Sequence, residues 1–203
     1  MIERLEQVAG RPVSRETFRK LEAYGMLLRV ESARQNLVAA STFDQFWDRH
    51  ILDSAQLVRF EPRPGASWLD IGSGAGLPGI VIACLVNGPV TLAEPRRLRA
   101  EFLHKAVESL NLNVSVVRSK AERLEGRYEV ITARAVASLS SLLEISQHLS
   151  TRNTVWAFPK GTNAERELAE ARRAWQGSFH LERSVTGEDS WIVVGTGVRA
   201  KRR

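Results

Sequence analysis

An acid followed by glycines at alternate positions is the most chemically suggestive pattern in this chain. Asp70, Gly72, Gly74 and Gly76 lie within Trp68-Leu69-Asp70-Ile71-Gly72-Ser73-Gly74-Ala75-Gly76-Leu77-Pro78-Gly79. One apolar run ends at the acid, and a second, Ile80-Val81-Ile82-Ala83, follows the glycines. Such a loop turns sharply and admits a ligand closer than any Cβ would allow. That geometry suits a nucleotide-like cofactor. Residues 74–79 match the G-x-G-x-x-G of dinucleotide sites, with Glu94 spaced to grip a ribose hydroxyl. Asp70 weighs the other way, because a carboxylate beside the loop gives a pyrophosphate nothing and suits a cation. S-adenosylmethionine carries an ammonium and a sulfonium. The D-x-G-x-G-x-G reading therefore favours it over a dinucleotide and over a merely structural turn.

With S-adenosylmethionine as methyl donor, the acceptor atom should leave traces. Carbon-5 of a pyrimidine needs a cysteine nucleophile near the sheet edge, but Cys84 falls inside the first helix after the glycine loop. Exocyclic amines usually call for an Asn/Asp-Pro-Pro-aromatic turn after the fourth strand. Here that turn reads Thr132-Ala133-Arg134-Ala135-Val136. Ribose 2′-hydroxyl transfer favours a Lys-Asp-Lys-Glu set whose aspartate position holds Arg134. A ring nitrogen such as guanine N7 remains compatible, because its lone pair is free and proximity with orientation can carry the rate. No general base is required, and none is assigned. His50, Asp53 and Ser54 have the residue types of a hydrolase triad, but as helical neighbours they read as packing between lobes. The histidines at 50, 104, 148 and 180 are dispersed, so no metal site is expected.

These residues need a scaffold, and the pattern supplies one. Strand-like runs occur at 67–71, 90–94, 114–118, 129–133 and 154–158, separated by helical stretches at 77–85, 97–110, 139–149 and 164–175. The alternation predicts an α/β fold, a mostly parallel sheet with helices on both faces. Runs at 178–185 and 190–195 predict an antiparallel hairpin at the sheet edge. Residues 1–65 read as a helical lobe. One helix is capped by Ser14 and runs to about residue 30; a second starts after Ser41 with Asp44 as a capping-box variant. Phe43, Phe46, Trp47, Ile51 and Leu52 form the second helix's apolar stripe. Glu61-Pro62-Arg63-Pro64-Gly65 is the joint to a cofactor-binding domain at 66–198, and 199–203 is a basic tail expected to be disordered. Trp68, Trp156 and Trp191 are expected in the sheet core rather than as base-stacking platforms.

The chain has 203 residues, 43% hydrophobic and 26% charged, as in ordinary globular proteins. It lacks a membrane-length apolar run and a secretory-type start, and its single cysteine rules out an internal disulfide. A cytoplasmic, monomeric protein is expected. Arg199, Lys201, Arg202 and Arg203 supply four of the six net positive charges. The clusters Arg96, Arg97, Arg99 and Arg118, Lys120, Arg123 can hold phosphates or can be a solvated face.

Beyond these readings, the chain resembles the ribosomal small-subunit guanine-N7 methyltransferase G family, also called the glucose-inhibited division protein B family. The resemblance rests on Leu69–Ile80 with Leu77-Pro78-Gly79, and on Glu94-Pro95-Arg96-Arg97 with Arg99 and Phe102-Leu103. Residues 132–136, Lys160-Gly161, Asn36-Leu37 and 50–54 also match, so it spans roughly 15 to 195. It implies an S-adenosylmethionine-dependent methyltransferase (Rossmann-like) fold and methyl transfer to N7 of one guanine in 16S ribosomal RNA, free or within the assembled subunit. Carried over by position, it implies that Asp70, Gly72, Gly74, Gly76 and Leu77 surround the cofactor and Glu94 accepts from the ribose hydroxyls. Ala121 and Glu122 would then border the adenine. Arg134 would touch the cofactor or the RNA, or form an ion pair with Glu122 or Glu94. Arg96, Arg97 and Lys160 are RNA candidates. Two positions depart from the family pattern, Pro159 for an aliphatic residue or methionine and Ser190-Trp191 for an Arg-His-like pair. Both bear on substrate handling. Other readings are a same-fold methyltransferase with another acceptor, an NAD-linked oxidoreductase and a non-catalytic ribosome-assembly factor.

Overall fold

In a computed structural model, which describes residues 1–201, the chain opens with α1 (Ile2–Ala9) and α2 (Arg15–Gln35). The Ser14 hydroxyl accepts the Thr17 amide at 3.0 Å and caps α2, as its type predicts. Nothing between Val30 and Gln35 breaks a helix, so α2 runs past its expected end and stops at Asn36, with φ 53°.

The single helix expected after Ser41 is instead a chain of short turns. A 3₁₀ segment (Ala40–Gln45) leads into a π-helical turn (Trp47–Leu52), then α3 (Asp53–Ala55) and a second 3₁₀ segment (Gln56–Phe60). No side chain caps its start, so the Ser41–Asp44 capping box does not form. Packing decides this segment, with the Phe18 and Trp47 rings stacked 4.9 Å apart between α2 and the π turn.

Seven strands follow: β1 (Trp68–Ile71), β2 (Val90–Ala93), β3 (Val114–Val117), β4 (Val130–Thr132), β5 (Val155–Lys160), β6 (Trp175–Arg183) and β7 (Trp191–Ala200). Helices α4 (Gly79–Leu85), α5 (Arg97–Ser109), α6 (Leu139–Ser146) and α7 (Ala164–Ala174) follow β1, β2, β4 and β5. The order is β3-β2-β1-β4-β5-β7-β6, parallel through β5, with β7 antiparallel between β5 and β6. Trp175, expected to end a helix, begins β6, and β7 carries the sheet through Ala200. Arg199 and Ala200 are therefore strand rather than free tail, Lys201 donates to the Arg172 carbonyl at 2.6 Å, and Arg202 and Arg203 lie outside the described residues.

Alternation along the strands sends side chains to two cores. Trp68 and Leu92 join Ile80, Leu103, Leu21, Tyr24 and Leu28, so the amino-terminal helices share one core with α4 and α5. Leu69, Ile71, Ile131 and Phe158 pack against Leu142, Leu143 and Leu168 of α6 and α7. The chain turns one way from β1 and the other from β4. Between them lies the switch point where open α/β sheets bind ligands.

Candidate active site

The glycine loop leaves the carboxyl end of β1 and is pinned to the end of β2. Gly72 and Ser73 amides both donate to the Ala93 carbonyl, at 2.8 and 3.1 Å. Two glycines are dictated by space. At Gly76, φ 91°, an added Cβ would lie 2.6 Å from the Ile80 side chain, and at Gly79 it would overlap Leu92 and Asp70. Beneath the loop, Asp70 is 1% exposed, and its Oδ2 accepts the Gly79 amide at 3.1 Å at the start of α4. Burial pushes the Asp70 carboxyl up to about 7. Among the described residues its Oδ1 has no hydrogen-bond partner, and neither has Oγ1 of Thr132, its register neighbour on β4.

Glu94 closes β2, 3% exposed. One oxygen accepts the Gly74 amide at 2.9 Å and the other the Arg96 amide at 2.8 Å, which aims the carboxylate at the loop. A carboxylate offers about four lone-pair sites, so two are left for a ligand. A hydrogen bond from the helical lobe also reaches this loop. The Tyr24 hydroxyl, on α2, donates to the Ala75 carbonyl at 2.7 Å. The loop, the buried acid with a free oxygen and the strand-end carboxylate fit an adenosyl ligand with a cationic end.

A second feature adjoins the ends of β4 and β5. A cleft of about 370 Å³ is lined by Asp53, Arg134, Ala135, Pro159, Lys160 and Trp191, among others. Arg134 follows β4 and pairs with Asp53 at 3.2 Å, not with Glu122 or Glu94. Asp53 also accepts from Thr186 Oγ1 at 2.9 Å and Gln56 Nε2 at 3.0 Å, tying the amino-terminal segment to the loop after β6. Lys160 Nζ pairs with Glu167 at 2.9 Å and donates to the Ala137 carbonyl at 2.7 Å. Trp68 and Trp156 are core as expected, 0% and 1% exposed, whereas Trp191 is half-buried at the cleft. The contacts of Asp53, Tyr24 and Trp191 span different elements, and no local spacing announces them.

The remaining candidates are dispersed. Ala121, buried, and Glu122, exposed, begin a 3₁₀ turn after β3. Arg96 and Arg97 stand exposed at the start of α5, Arg97 paired with Glu101 at 2.7 Å. His50 Nε2 lies 2.9 Å from Thr42 Oγ1, and burial, reinforced by Arg134, lowers its pKa to about 4. Ser54 donates to the His50 carbonyl at 2.6 Å rather than to its ring, so no triad forms. Burial raises the Cys84 thiol to about 12, far from a thiolate nucleophile.

Residues 17–190 match the family model described as rRNA small subunit methyltransferase G. The ribosomal RNA small subunit methyltransferase G of Zymomonas mobilis is 44% identical over 98% of this chain and 93% of its own length. That of Erythrobacter litoralis is 47% identical over 90% and 89%. Among solved structures, a SAM dependent methyltransferase from Aquifex aeolicus shares the fold. It superposes with a TM-score of 0.60 at 17% identity, over 81% of this chain and 96% of that one.

Proposed function

The chain belongs to the rRNA small subunit methyltransferase G family, and from that premise we propose that it transfers a methyl group from S-adenosylmethionine to N7 of one guanine in 16S ribosomal RNA. The reading rests above all on two neighbouring features of the sheet's carboxyl edge, the loop held by Glu94 and Asp70 and the cleft bordered by Arg134. S-adenosylmethionine, when bound, supplies an electrophilic methyl group on a sulfonium. Glu94 accepts from the ribose hydroxyls while its bonds to the Gly74 and Arg96 amides hold it in place. Asp70 offers Oδ1 to the cationic end of the ligand. Gly72, Gly74, Gly76 and Leu77 form the loop that surrounds it, and Ala121 and Glu122 border the adenine. Arg134 stands between cofactor and acceptor, fixed by Asp53. Guanine N7 needs no proton removed. The chain's task is to hold donor and acceptor in line and keep water out.

The deciding experiment uses methyl-labelled S-adenosylmethionine and small ribosomal subunits from cells lacking this protein, with nucleoside mass analysis. Label is expected in 7-methylguanosine. Label in another nucleoside would replace the acceptor, and none from a cofactor-binding protein would leave a non-catalytic role. A stabilisation by S-adenosylhomocysteine of about 2.7 kcal/mol at 100 times its dissociation constant establishes binding first.

A further inference from the structure

Three strands place Lys160, Trp191 and Arg183 side by side. In the antiparallel ladder Lys160 of β5 pairs with Trp191 of β7, and Trp191 pairs with Arg183 of β6. Residues directly opposite in such a ladder project from the same face. The row crosses the edge of the sheet at the cleft beside Arg134. Its members differ in how far they are committed. Lys160 is held by Glu167 and the Ala137 carbonyl. Arg183 is exposed and makes no ion pair among the described residues; its guanidinium carbon lies 5.2 Å from the centroid of the Trp191 ring. Trp191 is half-buried, and its indole lines the cleft.

We propose that Trp191, braced by Arg183, is the platform on which the unstacked acceptor base rests, with Arg183 taking a phosphate of the same strand. The proposal builds on the guanine-acceptor reading and names the part of the cleft that receives the base. Single-stranded RNA bases are held chiefly by stacking on flat aromatic side chains and guanidinium planes. Within the lining of this cleft, Trp191 is the one aromatic ring. A guanidinium stacked on the indole fixes the ring while keeping its outward N–H groups for an anion.

The test compares Trp191→Leu, Trp191→Phe and Arg183→Ala with the unaltered protein. For each, kcat and KM are measured for unmethylated small subunits, together with the dissociation constant of S-adenosylhomocysteine. Trp191→Leu should raise KM roughly tenfold or more, the usual cost of losing a base–aromatic stack. Trp191→Phe should restore most of it, and cofactor affinity should stay within twofold in both. Arg183→Ala should raise KM severalfold and flatten its salt dependence by about one phosphate contact. KM within twofold of the unaltered protein for Trp191→Leu overturns the platform. Should that variant fail to fold, an unchanged KM and salt slope in Arg183→Ala overturns it instead. If the unaltered protein labels a nucleoside other than 7-methylguanosine, the acceptor reading fails separately, and the same KM comparison still judges the platform.

Discussion

Asp70 and Glu94 are both carboxylates at strand ends under one loop, yet their surroundings assign them different work. Glu94 has a backbone amide on each oxygen, whereas Asp70 has one amide and a buried oxygen with none. Burial raises Asp70 from the usual 3.8 to about 7, so the ligand-free protein holds that proton at pH values where the unfolded chain has lost it. Stability from this group is greatest below about pH 4 and declines as pH rises toward 7. A cationic ligand against Oδ1 reverses the preference and drives the proton off. S-adenosylmethionine should therefore bind more tightly as pH rises toward about 7, and binding near pH 6 should release close to one proton. Calorimetry in buffers of different ionisation enthalpy counts that proton. Asp70→Asn should abolish the release, weaken binding roughly tenfold, and remove the loss of stability between pH 4 and 7. Proton-neutral binding by the unaltered protein would sink the contact.

At the scale of elements, α2 is the part whose role is least visible in the sequence. Tyr24 is fully buried, and its hydroxyl satisfies the Ala75 carbonyl in the middle of the glycine loop. Tyr24→Phe leaves that carbonyl unpartnered, which should cost about 1 kcal/mol of stability. If α2 also fixes the loop for the ligand, cofactor KM should rise severalfold while kcat at saturating cofactor is unchanged. A loss of melting temperature with no change in KM would make the hydroxyl structural only. The strands β1 to β5 were legible because each is a short branched or aromatic run bordered on at least one side by a helical stretch. The antiparallel edge hairpin was legible too, in two strand-like runs separated by only Thr186-Gly187-Glu188-Asp189. The segment 40–60 was not. Its apolar stripe is helical in period, but contacts with α2 and with Ser184 and Thr186 beyond β6 break it into turns. The partner of Arg134 was hidden for the same reason, since Asp53 lies 81 residues away in the chain.

Charge belongs to the whole molecule. Of the six net positive charges, those at Arg199 and Lys201 are anchored to the sheet and α7, so they form a fixed edge rather than a trailing lure. Arg96 and Arg97 project from the start of α5 beside the Glu94 carboxylate. We propose that long-range attraction for RNA comes in part from these two residues, next to the glycine loop. If about four phosphates are neutralised, affinity for small-subunit RNA should fall about a hundredfold between 50 and 200 mM salt. The same residues allow recognition to be separated from cofactor binding. Arg96 serves Glu94 through its backbone amide, and among the described residues Arg97 pairs only with the neighbouring Glu101. Reversing both charges, Arg96→Glu with Arg97→Glu, should weaken RNA binding at least tenfold and reduce the salt slope by about two contacts. The dissociation constant of S-adenosylhomocysteine should move less than twofold. Equal losses for both ligands would mean that the two side chains hold the loop itself, and a flat salt response in the unaltered protein would count against a phosphate-led encounter altogether.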